Sequence, residues 1–467
     1  ASNRVPLRFI GVTVVKDSWV KLLKEEFALL YSISKWLLLA VIIGVFVGAA
    51  TSTFMIVLER CSKFVGALPS WRIFLLPLGI MVSAWLVISL KPMDRTRGTL
   101  SVVEAVHHHD GRVSVLSVVV KVIGSIITIS TGGSLGKEGP SAQIGAAVSN
   151  VFANGFHLNK VDRRKLVICG VSAGMASVFG APVAGAVFGL ENLFVGQLFY
   201  DVLLPCIVSG MVSYQVSLSL GMAYLYQPLL YVPRVTEPHM VTWVVLSGVF
   251  FGLVALFFIE TLRFTQKIFR RFSSSPLLQA LVGGGMLVVL TFFVGSRYLG
   301  LGGESIREAI AGNPIPRVAF FWKSLFTGIT MGAGGCGGVV TPTLYIGATS
   351  GAAFASFFGL DPVLFSCIGL VAVLSGAANT PIAAVILAVE LFGSKVASLA
   401  ALASVVAFIV TGYRSIYPDQ IIKCPKSPAF DICSEYQRVG ECDSDPALTR
   451  LPLVRLLVRS YQLWKRY

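Results

Sequence analysis

Two glycine-rich segments of this chain repeat each other in register, 202 residues apart. The first reads Gly133-Ser-Leu-Gly136-Lys137-Glu138-Gly139-Pro140, and the second reads Gly335-Cys-Gly-Gly338-Val339-Val340-Thr341-Pro342. Behind the prolines the match continues, with Ile144-Gly145-Ala146 against Ile346-Gly347-Ala348 and Phe152-Ala153 against Phe354-Ala355. Residues 98–106 match 302–310 at an offset of 204, with Glu104-Ala105 over Glu308-Ala309. Gly170, Pro182, Ala184 and Glu191 fall over Gly369, Pro381, Ala383 and Glu390 at an offset of 199. Blocks that keep their order at one nearly constant spacing mark an internal duplication, with halves spanning roughly 31–225 and 236–423.

The chain has 467 residues, of which 55% are hydrophobic and only 13% charged. With a mean hydropathy of +0.78, this composition belongs to a polytopic membrane protein and excludes an ordinary soluble domain. Uncharged runs at 36–58, 73–90, 241–259, 276–296 and 396–413 are near or above the roughly 18 to 20 residues that cross a hydrocarbon core. The stretches 98–200 and 300–392 are apolar but cut at short intervals by Gly and Pro. This predicts short helices that end inside the membrane, where such backbone survives only if protein or an aqueous cavity covers it. The expected fold is all-α, polytopic, and built from two structurally related repeats of broken and tilted helices. The expected site lies where the broken helices of the two halves meet, as in a transporter.

The net charge of +15 resides in short loops and ends, among them Lys160, Arg163, Arg164, Lys165, Arg270, Arg271, Lys465 and Arg466. That distribution fits positive-inside topology beside apolar spans, with anionic lipid as a neighbour, and argues against nucleic acid as a partner. Arg4, Arg8, Lys16, Lys21, Lys24, Glu25 and Glu26 precede the first apolar run, so residues 1–30 carry no signal-peptide pattern. An amphipathic surface helix is expected over 17–30. From Pro418 the composition turns polar, and 424–467 form a short polar and basic tail with Cys424, Cys433 and Cys442. Their nine-residue spacing is not a zinc pattern, which leaves free thiols or a disulfide.

Pro140 and Pro342 suit the first turn of a helix, and the glycines before them let the backbone approach a ligand closely. Each segment therefore aims a helix N-terminus, with unpaired N–H groups and a positive dipole end, at the site. An anion is the natural ligand, the more so in a low-dielectric interior. Tight helix packing through small residues is the plainer explanation of one such turn; two in register favour a site. Glu138 adds a carboxylate at the mouth of an apolar helix, which costs roughly 2.5 to 3.5 kcal/mol at bilayer depth unless paired or functional. Ionised, it competes for the place of a transported anion; protonated, it swings away and couples anion movement to protons. The alternative is a structural ion pair with Lys137 or Lys121. Glu191 and Glu390, near the ends of their apolar runs, read as helix caps or buried hydrogen-bond acceptors more readily than as transport groups.

Gly136-Lys137-Glu138-Gly139-Pro140 followed by Gln143-Ile144-Gly145 resembles the signature of the CLC family of chloride channels and chloride/proton antiporters. Gly338-Val339-Val340-Thr341-Pro342 resembles that family's third motif, and 181–191 resembles the helix following its second. The resemblance covers nearly all of 31–423 in matching order. It implies a homodimer with one pore per subunit, the halves of each subunit running antiparallel, in a membrane that the prokaryotic-type tail suggests is a bacterial inner membrane. Glu138 would be the gating glutamate, the N–H groups of Val339 and Val340 would bind the central anion, and the Tyr417 hydroxyl would complete the site, with Tyr413 a weaker candidate. Gly136, Lys137, Gly139 and Gly338 would line the anion path. The transported ion would be chloride or a similar small monovalent anion, exchanged for protons if coupled.

Two departures from the family pattern bear on mechanism. The family's first motif is here Thr96-Arg97-Gly98-Thr99-Leu100-Ser101. Either Arg97 replaces the serine that faces the central anion, or the register slips and Thr99 or Ser101 supplies the hydroxyl. Asn192 stands where many antiporters of the family carry the inner proton-transfer glutamate. An amide does not titrate, so either coupling is lost, leaving a passive channel or uncoupled carrier, or protons reach Glu138 by water or another acid. The Val-Thr-Pro ending of the third motif resembles the fluoride-exporting branch, but that branch usually has a glutamate at the position of Val339 and lacks the proline matching Pro140. Chloride is therefore favoured over fluoride.

A reading from another class starts from Gly170-Val-Ser172-Ala-Gly174, which has the spacing of a hydrolase nucleophile. It needs a strand-turn-helix setting and a histidine base, and the five histidines, His107, His108, His109, His157 and His239, are not placed in apolar runs to partner Ser172. The run His107-His108-His109-Asp110 reads as a solvated turn rather than a metal site. No cofactor motif is present, and a non-enzymatic transporter is expected.

Overall fold

The computed structural model describes residues 11–90, 103, 106, 110–225, 228, 238–424, 426 and 438–441. The first repeat contributes α1 (Gly11–Ala67), α2 (Leu75–Ile88), α3 (Val115–Ser130), α4 (Glu138–Gly155), α5 (Lys160–Phe179), α6 (Pro182–Glu191) and α7 (Tyr200–Ser219). The second contributes α8 (Pro238–Phe272), α9 (Pro276–Val294), α10 (Gly303–Ile310), α11 (Ala319–Gly332), α12 (Val340–Phe358), α13 (Pro362–Ala378), α14 (Pro381–Phe392) and α15 (Ala397–Val410). Two two-residue strands, β1 (Phe194–Val195) and β2 (Ile421–Ile422), pair in parallel and fasten the chain after α15 to the loop after α6. The architecture is the all-α, two-repeat arrangement expected.

The sequence offsets reappear as helix boundaries. Helices α4 and α12 begin at Glu138 and Val340, α3 and α11 end at Ser130 and Gly332, and α6 and α14 begin at Pro182 and Pro381. The backbone repeats as well. Gly132 (φ 111°) and Gly334 (φ 103°) open the two glycine loops, and Gly180 (φ 67°) and Asn379 (φ 59°) close α5 and α13 in the left-handed conformation that ends many helices. Asparagine tolerates that region better than most side chains, which explains why it stands where the first repeat has glycine. Local starts are equally readable. Ser114, Asn159 and Asp361 accept backbone N–H bonds as N-caps, and α6, α9, α13 and α14 carry proline in their first turn.

Five helical segments are long and apolar enough to cross a membrane: Lys21–Ala67, Ser70–Ile88, Tyr200–Ser219, His239–Phe272 and Pro276–Val294. Four coincide with the expected runs. The fifth expected run, 396–413, is instead the 14-residue α15, which ends at Val410, with Thr411 as its C-cap and Gly412 turning left-handed (φ 57°) just beyond. Tyr200–Ser219 takes its place among the long helices although Pro205 lies inside it. The surface helix expected over 17–30 is the leading part of α1 rather than a separate element, since neither Gly nor Pro interrupts residues 12–43. Its residues 21–34 are exposed.

Close helix approach rests on paired glycines. A Cβ on Gly145 would strike the carbonyl of Gly170, and one on Gly170 the carbonyl of Gly145; Gly347 and Gly369 are related in the same way in the second repeat. Backbone cannot retreat as a side chain can, so overpacking here costs about 3 kcal/mol. Gly369→Val is expected to lower the melting temperature in detergent by several degrees, whereas Gly285→Ala, which faces open space, leaves it within about a degree of wild type.

Candidate anion site

The two glycine loops meet each other. Gly136 donates its N–H to the Gly338 carbonyl at 2.7 Å, and Gly338 donates back to the Gly136 carbonyl at 2.7 Å. Just outside this pair, the Ser134 N–H donates to the Thr330 hydroxyl and the Cys336 N–H to the Thr128 hydroxyl, each at 3.2 Å. Every contact is the mate of the other under the 202-residue offset, so the loops are related by a local twofold axis through the glycine pair. The N–H groups of Gly136 and Gly338 are thereby consumed. These two expected anion-binding residues hold the loops together rather than donate to a ligand. Gly139 packs against the backbone of Gly338, where a side chain would not fit.

This junction starts α4 and α12 side by side, with their N-termini converging. Glu138, the first residue of α4, is 2% exposed. Its carboxylate crosses to the other repeat, where the Thr341 N–H donates to Oε2 at 3.1 Å and the Thr341 hydroxyl donates to Oε1. The acid of the first repeat thus lies on the positive end of the second repeat's helix, where an anion would sit. Lys137 is not its hydrogen-bond partner; the Lys137 ammonium lies 3.7 Å from the Met55 sulfur. Val339 and Val340 are the N-cap and first residue of α12, both buried. Tyr417 is 2% exposed in the same apolar cluster as these two valines. It is held by its N–H on the Ser415 hydroxyl (3.0 Å), while Ile416 N–H donates to the Ala377 carbonyl at the end of α13. Tyr413 is committed elsewhere, its hydroxyl accepting the Lys426 N–H at 2.9 Å.

Glu191 and Glu390 are helix caps exchanged between repeats. Glu191 accepts the N–H groups of Ile382 and Ala383 at the start of α14 (3.0 and 2.8 Å), and Glu390 accepts those of Val183 and Ala184 at the start of α6 (3.0 and 2.8 Å). Asn192 is buried and immobilised. The Gln420 side-chain NH2 donates to its Oδ1 at 2.9 Å, to its carbonyl at 3.0 Å and to the Ala378 carbonyl at 2.8 Å. Gln420 Oε1 accepts from the Asn379 NH2 at 3.1 Å, and Asn379 Oδ1 accepts from the Lys426 ammonium at 2.6 Å. Carbonyls at one end and an ammonium at the other fix the direction of both amides. Burial pushes Lys426, beyond the last helix, down to about 7.

Sequence reasoning did not assign roles to Thr341, Gln420, Asn379 or Lys426. Thr341 was legible as a hydroxyl in the first turn of a repeated helix; Asn379 lies 41 residues from Gln420, and only folding brings it between Gln420 and Lys426. Arg97, Thr99 and Ser101 lie outside the described residues, as do the run His107 to His109, Cys433 and Cys442. Cys424 is an exposed free thiol. Ser172 lies within α5 and donates to the Ala186 carbonyl at 2.9 Å, so the strand-turn-helix setting of a hydrolase nucleophile is absent there.

The exchanged caps are open to test. Glu390→Gln sets an amide NH2 against a backbone N–H and is expected to destabilise the fold by about 2 kcal/mol. Glu191→Gln should cost as much, and the double variant should lose roughly the sum, since the two carboxylates serve different helices. Melting curves of purified protein measure all three.

A family profile described as "Voltage gated chloride channel" matches residues 79–412. A "Chloride/fluoride channel protein" from Pseudomonas syringae pv. tomato is 36% identical over 406 residues, covering 85% of this chain and 88% of that one. A "Voltage-gated ClC-type chloride channel ClcB" from Shigella flexneri is 26% identical, covering 76% and 87%. Among solved structures, a CLC-type fluoride/proton antiporter superposes with a TM-score of 0.80 at 27% identity, over 84% of this chain and 99% of that one. A slow cyanobacterial Cl-/H+ antiporter shares the fold, with a TM-score of 0.70 at 18% identity over 80% and 94%.

Proposed function

Because the chain belongs to the voltage-gated chloride channel (CLC) family of anion-transporting membrane proteins, we propose that Glu138 gates its anion path and couples anion movement to protons. The observation that carries this reading is the Glu138 carboxylate resting on the N-terminus of α12. The ionised side chain and a transported anion want the same N–H donors and the same positive dipole end. A proton on Glu138 removes its charge and weakens its hold on Thr341, so an anion takes the place it leaves. Exchange of one for the other at a single locus is the basis of antiport. In this reading the N–H groups of Val339 and Val340 and the Tyr417 hydroxyl hold the central anion. Arg97, or Thr99 or Ser101 in the shifted register, completes the site. Each protomer of a homodimer in a bacterial inner membrane carries one such path, between the halves 31–225 and 236–423.

A second reading, a passive channel or uncoupled carrier, is favoured by Asn192. Its amide does not titrate and is locked by Gln420, so inner protons must reach Glu138 by another route. Fluoride gains weight as the anion. A relative at 36% identity is named for chloride and fluoride, a similar structure is a fluoride/proton antiporter, and a hydroxyl from Thr341 is a hard donor suited to a small anion.

The test is purified protein in liposomes loaded with chloride or fluoride, with anion efflux and pH recorded together. Antiport predicts proton uptake against its gradient, abolished in Glu138→Gln while anion efflux persists. Anion efflux without proton movement in wild type would establish the passive reading instead. No flux of chloride, fluoride, nitrate or bicarbonate would overturn both. Thr341→Val removes the hydroxyl donor to Glu138 and leaves the N–H. It should raise anion flux at neutral pH by about tenfold, the equivalent of a charge-assisted hydrogen bond near the lower end of its range.

A further inference from the structure

Two adjoining cavities on α8 answer to nothing in the anion path. The larger, of 930 Å³, lies between α8, α9 and α11 and is walled by apolar side chains including Phe264, Phe269, Phe272, Met286 and Phe321. The smaller, of 460 Å³, lies on the next face of α8 and is lined by Gln266, Arg270 and Arg271 and, from the segment after α15, by Ser415, Ile416 and Pro418. Arg263 and Lys267 line both cavities and stand on the ridge between them.

Among the described residues the charge here is only partly compensated. Arg263 shares Glu260 with Arg414, at 3.3 and 3.0 Å, while Lys267, Arg270 and Arg271 make no ion pair among the described residues. Helix α8 has 35 residues, about 52 Å of helix, against a hydrocarbon core of about 30 Å. Its basic end therefore reaches the headgroup layer, with the apolar cavity running inward beside it. An occupant must satisfy two demands at once, an anionic group at Lys267, Arg270 and Arg271 and a hydrocarbon chain joined to it. An inorganic anion meets only the first and a neutral lipid only the second.

We propose that these cavities are one binding site for an anionic phospholipid. The phosphate lies among Lys267, Arg270 and Arg271, and an acyl chain lies along Phe264, Phe269 and Met286. The wall beside the headgroup is the segment that holds Tyr417 through Ser415. A bound lipid therefore braces the anion site, a consequence that rests on the role given to Tyr417 above.

The experiment is a thermal-shift titration of the full chain in detergent with phosphatidylglycerol, phosphatidylcholine and inorganic phosphate. Phosphatidylglycerol should stabilise wild type saturably, and phosphatidylcholine and inorganic phosphate should not. The combined variant Lys267→Gln, Arg270→Gln, Arg271→Gln changes only exposed side chains. It should bind phosphatidylglycerol at least about tenfold more weakly, since each basic residue near a lipid surface contributes roughly 1 kcal/mol. Met286→Trp, which fills the groove, should lose the stabilisation while the basic cluster is intact; if it does not fold, the charge variant decides. Equal stabilisation by both lipids, reproduction of the effect by inorganic phosphate, or a wild-type response from the charge variant would overturn the site. Anion flux of the charge variant in phosphatidylcholine liposomes separates the two readings: flux there with lipid preference lost supports the site and leaves the gate intact. A lipid preference intact in a protein without flux overturns the transport reading alone.

Discussion

The pair of 2.7 Å hydrogen bonds between Gly136 and Gly338 is the contact on which the rest of the site depends. Equivalent residues of a duplicated chain bond to each other only where a twofold axis passes between them, so this pair defines the axis. Only glycine permits the approach, because each loop stands where the other's side chain would be. The Thr128 and Thr330 hydroxyls extend the same junction outward. With the loops fixed, α4 and α12 must start from a common point, and their unpaired N–H groups converge without any dedicated binding domain.

Symmetry supplies two helix ends but not a mechanism, and Glu138 breaks it. Its counterpart under the offset is Val340, so only one of the two converging termini carries an acid. That acid lies on the partner helix rather than its own, held through Thr341. Under the gating proposed above, this asymmetry is what would give the paired helix ends an occupied and a vacated form. The geometry also separates two kinds of buried carboxylate that look alike in a list of charges. Glu191 and Glu390 each accept two backbone N–H groups at the start of a helix in the other repeat; Glu138 accepts one backbone N–H and one side-chain hydroxyl, both from Thr341.

Much of this was legible because repetition makes weak signals strong. One glycine turn before a proline is ambiguous, whereas two in register placed Pro140 and Pro342 in the first turns of helices, which begin two residues earlier at Glu138 and Val340. The capping role of Glu191 and Glu390 was readable from their places at the ends of apolar runs, though not that each serves the other repeat, since exchange across the axis leaves no trace in local pattern. The extent of α15 was misjudged because hydropathy continues past Gly412, although the helix ends at Val410 with Gly412 left-handed just beyond. Tyr200–Ser219 escaped notice as a span because Pro205 sits inside it. The chain from Asn192 through Gln420 and Asn379 to Lys426 was invisible, as its members come from three separate segments and none is unusual alone.

The exchanged caps also constrain how the molecule is made. The N–H groups that open α6 are satisfied by Glu390, which follows Val183 by 207 residues. At about 5 to 20 residues per second, that carboxylate emerges from the ribosome about 10 to 40 s after the helix start it serves. Bare N–H groups in hydrocarbon cost several kcal/mol each. During that interval the beginning of α6 must stay in water or in the shelter of the insertion machinery. The first repeat therefore enters the bilayer as an unfinished half, and its short helices settle to full depth only when the second repeat arrives to close them.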